Sequence, residues 1–170
     1  MFILTLSVEE AEKIDMIFQH YESKLFGFLY KYLRDEKDIE DALQETFVRL
    51  CDNVDKIGDI DSIATKNYVY RIAKNKAIDA LRKKNRTEAV TNPYDENVIT
   101  MVNESEVRRI TASTPLGEGI TECLQELSRD DQDILILKYG QEWEDIEIAK
   151  FYGISHDAVR QRLSRARRRT

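Results

Sequence analysis

Apolar residues recur at intervals of three and four along most of this chain, and no other feature constrains its fold as strongly. Strict alternation of apolar and polar residues, which would predict half-buried strands, extends over only a few positions at a time. The pattern therefore predicts an all-α fold, made of two small helical domains that a linker joins.

The first domain is predicted over residues 1 to 86, with helical segments from about Ala11 to Arg34, from Asp35 to Asn53 and from Ser62 to Lys84. The first segment is either one long helix or two abutting helices. Gly58 and its polar neighbours interrupt the pattern before the third helix. The positions predicted to face inward are Ile14, Ile17, Phe18, Tyr21, Leu25, Phe28, Leu29 and Tyr32 in the first helix, Ile39, Ala42, Leu43, Phe47 and Leu50 in the second, and Val69, Ile72, Ala73, Ile78 and Leu81 in the third.

The periodicity fades over residues 87 to 118, where Pro93 and Pro115 lie among Thr, Asn, Glu and Ser. This composition predicts a linker, although its scattered apolar residues favour some docking onto a surface. Helices resume at Ile120 and form a second domain over residues 119 to 170. Ser128 is a predicted N-cap there, with Asp131 as a weak capping-box partner.

The net charge of -6 conceals an uneven distribution along the chain. Residues 66 to 86 hold 8 basic and 1 acidic residue, and residues 150 to 170 hold 7 basic and 1 acidic residue. The segments before them carry net charges of -8 and -11. Two basic segments in an acidic chain indicate two phosphate-contacting surfaces, whereas the plainer alternative is that the charges only solvate helix faces.

The segment from Trp143 to Arg169 has the pattern of a helix-turn-helix. Ala149 is small where two helices must cross closely, Gly153 permits the turn, and Ser155 is a natural N-cap for the second helix. That helix would bury Val159, Leu163 and Ala166 and expose His156, Arg160, Gln161, Ser164, Arg165, Arg167 and Arg168. Such a surface suits the major groove of DNA, and the alternative is a solvated basic helix in a protein-binding bundle.

The basic helix from Asn67 to Arg86 mixes aromatic, cationic and amide side chains. Tyr68 and Tyr70 are candidates for stacking on unpaired bases, and Asn75 for a base edge, although either tyrosine could equally lie in the core. The candidate phosphate contacts are Arg71, Lys74, Lys76, Arg82 and Lys83. The combination favours capture of a single strand.

Three stretches of the sequence together resemble the extracytoplasmic-function (ECF) sigma factors of bacteria. IEDALQETFVRL, from Ile39 to Leu50, is similar to the polymerase-binding helix of that family. YVYRIAKNKAIDALRKKNR is similar to its -10 promoter segment, and LQELSRDDQDILILKYG with the helix-turn-helix is similar to its -35 reader. The stretches occur in the family's order and cover about two thirds of the chain.

The resemblance implies a role for individual residues. Those expected to dock on the clamp coiled coil of the largest polymerase subunit are Glu40, Asp41, Gln44, Glu45 and Phe47. Those expected at the -10 element are Tyr68, Arg71, Lys74, Asn75, Asp79, Arg82 and Lys83, and those expected at the -35 element are Ser155, His156, Arg160, Gln161, Arg162, Ser164, Arg165 and Arg168. The family usually has Trp where this chain has Tyr68, so we expect weaker stacking, and Asp79 could instead bind a neighbouring cation.

The implied partners are core RNA polymerase, promoter DNA as duplex and as melted strand, and an anti-sigma factor. The sequence contains no metalloprotease, P-loop or zinc-ligand motif, so we expect no enzymatic activity, no cofactor and no metal. Asp130, Asp131 and Asp133 are assigned to helix capping. Without a long apolar run or a signal peptide, we expect a cytoplasmic protein that does not insert into membranes, with Cys51 and Cys123 as reduced thiols.

One alternative function stays open at this stage. The chain could be a helix-turn-helix regulator that acts without polymerase, with the N-terminal helices as a dimerisation domain. Such a protein would bind a duplex operator tightly by itself, which separates it from a sigma factor.

Overall fold

A computed structural model of the chain describes residues 6–33, 35–91 and 127–168. The described residues form six α-helices and no strand, in two separate units. The predicted all-α class is therefore confirmed. The domain boundaries at residues 86 and 118 stay predictions.

The first unit contains three helices that pack on one another: α1 (Val8–Leu29), α2 (Glu36–Cys51) and α3 (Ile63–Thr91). A short 3-10 turn, Val54–Lys56, follows α2. Helix α2 begins at an N-cap, Asp35, whose carboxylate accepts a 2.8 Å hydrogen bond from the Lys37 amide. Acidic residues in the first turn of α2 add to this start, because they interact favourably with the helix dipole.

Aliphatic and aromatic side chains from all three helices form the core of this unit. The largest of them that are fully buried are Tyr21, Tyr70, Phe28, Ile17, Leu25, Leu29, Ile39 and Leu50. The Tyr21 hydroxyl donates a 2.7 Å hydrogen bond to the Ile60 carbonyl, and Lys13 donates to the Ile57 carbonyl. These two bonds attach the loop before α3 to α1 and so fix where the basic helix begins.

The predicted inward positions of α2 are confirmed, since all five are less than 9 % exposed. On α1 the prediction is wrong for Phe18, which is 38 % exposed because it lies at the edge of the bundle. The predicted end of the third helix at Lys84 is also wrong. Helix α3 continues to Thr91, into the predicted linker, because no helix breaker occurs before Pro93. The rest of that linker lies outside the described residues.

The second unit contains α4 (Arg129–Leu135), which continues as a π-helical turn (Ile136–Gly140), then α5 (Asp145–Tyr152) and α6 (His156–Arg168). Ser128 caps α4 as predicted, and its hydroxyl accepts a hydrogen bond from the Asp131 amide at 3.3 Å. The core holds Ile134, Leu137, Trp143, Ile148, Phe151, Val159 and Leu163. The Trp143 indole lies edge-on against Phe151, with ring centroids 5.6 Å apart.

Asp133 departs from its predicted capping role. Its side chain is only 1 % exposed and accepts a 2.7 Å hydrogen bond from the Tyr152 hydroxyl, which connects α4 to α5.

Cys51 is a half-buried free thiol, and burial, with the neighbouring Asp52 charge, raises its pKa. Cys123 and Leu124 lie outside the described residues. Within the described ranges, no helix has both the length and the apolar character that crossing a bilayer requires.

Candidate nucleic-acid interface

The outer face of α3 carries the residues predicted to contact the -10 element. Tyr68, Arg71, Asn75, Asp79 and Arg82 follow one another at intervals of three and four, which places them on one side of the helix. Arg71, Asn75, Asp79 and Arg82 are exposed, and Tyr68 is half-buried. Lys83 is also exposed, whereas Lys74 is half-buried at the flank. The helix thus presents an aromatic ring, an amide and several cations together.

Tyr70 does not belong to this face, and of its two alternatives, base stacking or the core, the structure shows the core. Its side chain is completely buried. The ring lies edge-on against Phe28, with centroids 5.0 Å apart, and against Tyr21 at 6.3 Å. The signal was present in the sequence, because Tyr70 precedes Ala73 and Ala77 at helical spacing, and both alanines are buried.

The acidic residue on the α3 face is paired with a neighbour. A carboxylate oxygen of Asp79 lies 3.8 Å from a guanidinium nitrogen of Arg82, one turn further along the helix. This arrangement agrees with the alternative that Asp79 binds a neighbouring cation. Both side chains remain well exposed, so the pair contributes little to stability.

Helix α2 presents the predicted polymerase-binding residues on its outer side, with one exception. Glu40, Asp41, Gln44 and Glu45 are exposed. Phe47 is only 8 % exposed and packs on Phe18, with ring centroids 4.7 Å apart, so it supports the surface from below. Val48 was missed by the sequence analysis, although it is 49 % exposed and follows Gln44 by one turn.

Two ion pairs connect α2 to α3. Lys76 lies 3.1 Å from the Glu45 carboxylate, and Lys84 lies 3.4 Å from Asp38. Lys76 was predicted to hold a phosphate, yet it is already paired with an acid of the polymerase-binding set. The acidic helix therefore neutralises part of the charge along one flank of the basic helix.

The predicted helix-turn-helix is present as α5, a short turn and α6. Gly153 ends α5 in the left-handed region, at φ 64°, and its amide donates to the Ala149 carbonyl. Ser155 then caps α6, because its hydroxyl accepts a 3.1 Å hydrogen bond from the Ala158 amide. Val159, Leu163 and Ala166 are buried as predicted, at 5 % exposure or less.

The outer face of α6 carries most of the residues predicted for the -35 element. The exposed ones are Ser155, His156, Arg160, Gln161, Ser164, Arg165 and Arg168. Arg162 differs, because it is partly buried and lies 3.5 Å from the Asp131 carboxylate of α4. Arg167 is exposed, but it donates to the Tyr139 hydroxyl and lies over that ring at 5.5 Å. Arg162 thus attaches α6 to α4, and Arg167 attaches it to the π-helical turn that continues α4.

Asp145, at the start of α5, lies between two basic side chains near the N-terminus of α6. One of its carboxylate oxygens lies 2.8 Å from the Lys138 ammonium, and the other lies 4.0 Å from the His156 imidazole. The hydrogen bond that the Lys138 ammonium donates to the Asp145 carboxylate raises the pKa of Lys138. Among the residues that the structure describes, no group of His, Cys, Asp and Glu side chains could hold a metal ion.

The comparisons with known proteins agree with this geometry. The family model for sigma-70 region 2 matches residues 17–87, and the model for sigma-70, region 4 matches residues 118–170. The ECF RNA polymerase sigma factor SigM of Bacillus subtilis (strain 168) is 27% identical over 156 residues, which cover 92% of this chain and 91% of SigM. SigW of the same organism is 29% identical over 157 residues, covering 86% of this chain and 81% of SigW.

Solved structures share the fold. The sigma factor RpoE from Bartonella quintana, solved with the anti-sigma factor NepR, gives a TM-score of 0.62 at 18% identity, over 91% of this chain and 92% of RpoE. CnrH, solved with the cytosolic domain of CnrY, gives 0.60 at 20% identity, over 92% of this chain and 83% of CnrH. With both sigma regions matched in order, the chain belongs to the extracytoplasmic-function group of the sigma-70 family.

Proposed function

We propose that this protein is an RNA polymerase sigma factor that binds core polymerase, recognises the -10 and -35 promoter elements and promotes transcription initiation. One observation carries the proposal. Two helix faces rich in exposed cations, on α3 and on α6, occur in two different units, and an acidic helix face lies beside the first of them. The two cationic faces match the two separated elements of a promoter, and the acidic face matches a binding surface on polymerase.

The face of α6 supplies the contacts to duplex DNA. An Arg side chain can donate two hydrogen bonds to guanine, and Gln can pair with adenine, so Arg160 and Gln161 are the base-reading candidates. Ser155, His156, Arg165 and Arg168 contact phosphates or the flanking bases. Arg162 acts indirectly, because its ion pair with Asp131 attaches α6 to α4.

The face of α3 supplies the contacts to the melted strand. Tyr68 offers a ring surface on which an unpaired base can stack, and Asn75 offers an amide for a base edge. Arg71, Arg82 and Lys83 are spaced along the same side and hold the backbone phosphates. A smaller ring than Trp at position 68 reduces the stacking area, so we expect a modest contribution from each base.

Helix α2 supplies the contact to polymerase. Glu40, Asp41 and Gln44 form an acidic, amide-containing surface that suits a basic helix of the partner. Val48 adds an apolar patch at the same surface, where contact with a partner would remove it from water.

The proposed activity is differential binding, without a chemical step. Thermal fluctuation opens the promoter, and the α3 face binds the exposed bases only in the open state, so that state gains population. The α6 face holds the neighbouring duplex throughout. The protein therefore acts in the cytoplasm, where polymerase and DNA are found. By analogy with RpoE and CnrH, which were solved with NepR and with CnrY, we infer that an anti-sigma factor binds this chain too.

Co-elution with core polymerase tests the proposal. The double variant Glu40→Lys with Gln44→Lys reverses the charge of the α2 face without touching the Glu45–Lys76 ion pair. Glu22→Lys, at an exposed position of α1, is the matched control. We expect the wild type and the control to co-elute with polymerase and the double variant to elute alone. If all three proteins elute alone, the proposed function is wrong.

A further inference from the structure

Asp157 is the only acidic residue between residues 150 and 170, and it lies at the N-terminal end of the cationic α6 face. Arg160, Gln161, Ser164 and Arg168 follow it at 3, 4, 7 and 11 residues, so all five share one side of the helix. All five are exposed. The position is not explained by packing, because the buried stripe of α6 runs along the opposite side.

The surroundings of Asp157 make it part of the reading surface. With Arg160, Gln161 and Ser164, and with Asp145 of α5, it lines a shallow, open depression along α6. Asp157 is also in the first turn of the helix, and the first residues of a recognition helix are the ones that reach base edges in the major groove. We therefore expect the side chain at this position to lie closer to the base edges than most of the arginines, which are further along α6.

A carboxylate is unfavourable near phosphates, so any gain that it makes on DNA comes from a base that donates a hydrogen bond to it. In the major groove the donors are the amino groups of cytosine and of adenine. Adenine carries the acceptor N7 next to its amino group, which repels a carboxylate oxygen, whereas cytosine does not. Cytosine is therefore the base that suits Asp157.

Asp157 has a second effect on the domain that does not depend on DNA. A negative charge in the first turn interacts favourably with the helix dipole. Substitution by Ala or Asn would remove this effect, which would change stability and not base preference. The two consequences are measurable separately.

We infer that Asp157 is a specificity-determining residue, which accepts a hydrogen bond from the amino group of a cytosine in the duplex element that α6 recognises. The inference rests on the proposed function, because it needs α6 to bind promoter DNA in the polymerase complex.

The test selects DNA with the full-length protein bound to core polymerase. The probe is a pool of duplexes with a long randomised segment, sequenced after selection. Wild type, Asp157→Ala, Asp157→Asn and Asp157→Glu are compared, with Asp130→Asn as the control, since Asp130 is an exposed first-turn acid of α4. Fluorescence of Trp143, the single tryptophan, reports the stability of each variant.

We expect wild type and D130N to select one cytosine within the α6 element, preferred by roughly 5-fold or more over other bases. D157A should lose this preference alone, D157E should retain part of it, and D157N should prefer adenine there, since Asn pairs with adenine.

Two outcomes would overturn the inference and leave the proposed function intact. In one, the D157A complex selects the same cytosine as the wild type. In the other, D157A gains affinity for every sequence by the same factor, which would mean that Asp157 only repels phosphates. If the wild type neither binds polymerase nor selects any motif, the proposed function fails with it.

Discussion

At the scale of residues, Tyr68 and Tyr70 are two positions apart in α3 and have opposite environments. Tyr70 is fully buried between aromatic rings of α1, whereas Tyr68 is half-buried on the outer face. We expect Tyr70→Ala to lower the free energy of unfolding by about 3–5 kcal/mol, because it removes a large core side chain. Tyr68→Ala should cost less than about 1 kcal/mol.

Denaturant unfolding checks the first effect, and open-complex formation on promoter DNA checks the second. Tyr68→Ala should reduce open complexes while its stability remains near that of wild type, and Tyr68→Phe should restore them. Equal destabilisation by the two alanine variants would contradict the assignment of Tyr68 to the outer face.

Gly153 is the residue on which the turn of the helix-turn-helix depends. Its φ is 64°, and a Cβ added there would meet no atom within 4 Å. The cost of Gly153→Ala is therefore purely that of the backbone, about 1–2 kcal/mol. Gly58→Ala is the matched control, since its Cβ also meets nothing and its φ is not in that region. Identical thermal unfolding of the two variants would show that the strained turn is absent.

Because of Lys138, we expect the stability of the second unit to depend on pH in the alkaline range. Asp145 raises the pKa of Lys138 above its ordinary value of 10.5. The stability that this pair contributes is complete below the ordinary pKa and is lost as the pH rises through the raised one. In the wild type, unfolding followed by Trp143 fluorescence should show a loss of stability above about pH 10.5. The Lys138→Met variant should lack this loss, and the Lys150→Met variant should show it as the wild type does. An unchanged alkaline transition in Lys138→Met would disprove the linkage.

At the scale of elements, one arginine of α6 is attached to α4, and another is exposed on the face that we propose contacts DNA. Arg162 lies beside Asp131, and both side chains are about 30% exposed, whereas Arg160 is fully on the outer face. We expect Arg162→Met to lower stability by up to about 1 kcal/mol, and Arg160→Met to leave stability unchanged while weakening duplex binding.

A double-mutant cycle separates these roles. Arg162→Met combined with Asp131→Asn should cost less than the sum of the two single substitutions, because both remove one interaction. Additive effects on unfolding, together with a loss of duplex binding in Arg162→Met as large as that in Arg160→Met, would assign Arg162 directly to DNA.

The helices and most of their faces were predictable, because side chains three and four positions apart share a side of a helix whatever surrounds it. That rule identified the inward residues of α2, the buried stripe of α6 and the exposed cations opposite it. It could not identify the partners across helices. The Glu45–Lys76, Asp38–Lys84 and Asp131–Arg162 pairs depend on how the helices pack, which no local spacing encodes. Val48 and Phe18 were misjudged for the same reason.

At the scale of the whole molecule, the basic and acidic segments of the chain correspond to the surfaces that we propose for DNA and for polymerase. The described cations of the two basic segments lie mostly at exposed positions of α3 and of α5 and α6, in separate units, and the acidic α2 packs on α3. A protein that reads two promoter elements needs the polymerase to bring both surfaces to DNA at once. Neither surface alone is expected to bind a promoter tightly.

The most direct test of this account is transcription in vitro. Core bacterial RNA polymerase, the purified protein and genomic DNA of the host are mixed, and the 5′ ends of the transcripts are mapped. We expect start sites that depend on the protein and share two spaced upstream motifs, and we expect the protein alone to bind duplex DNA weakly. Transcription unchanged by the protein, together with tight binding of the protein alone to a duplex operator, would contradict it and identify a regulator that acts without polymerase.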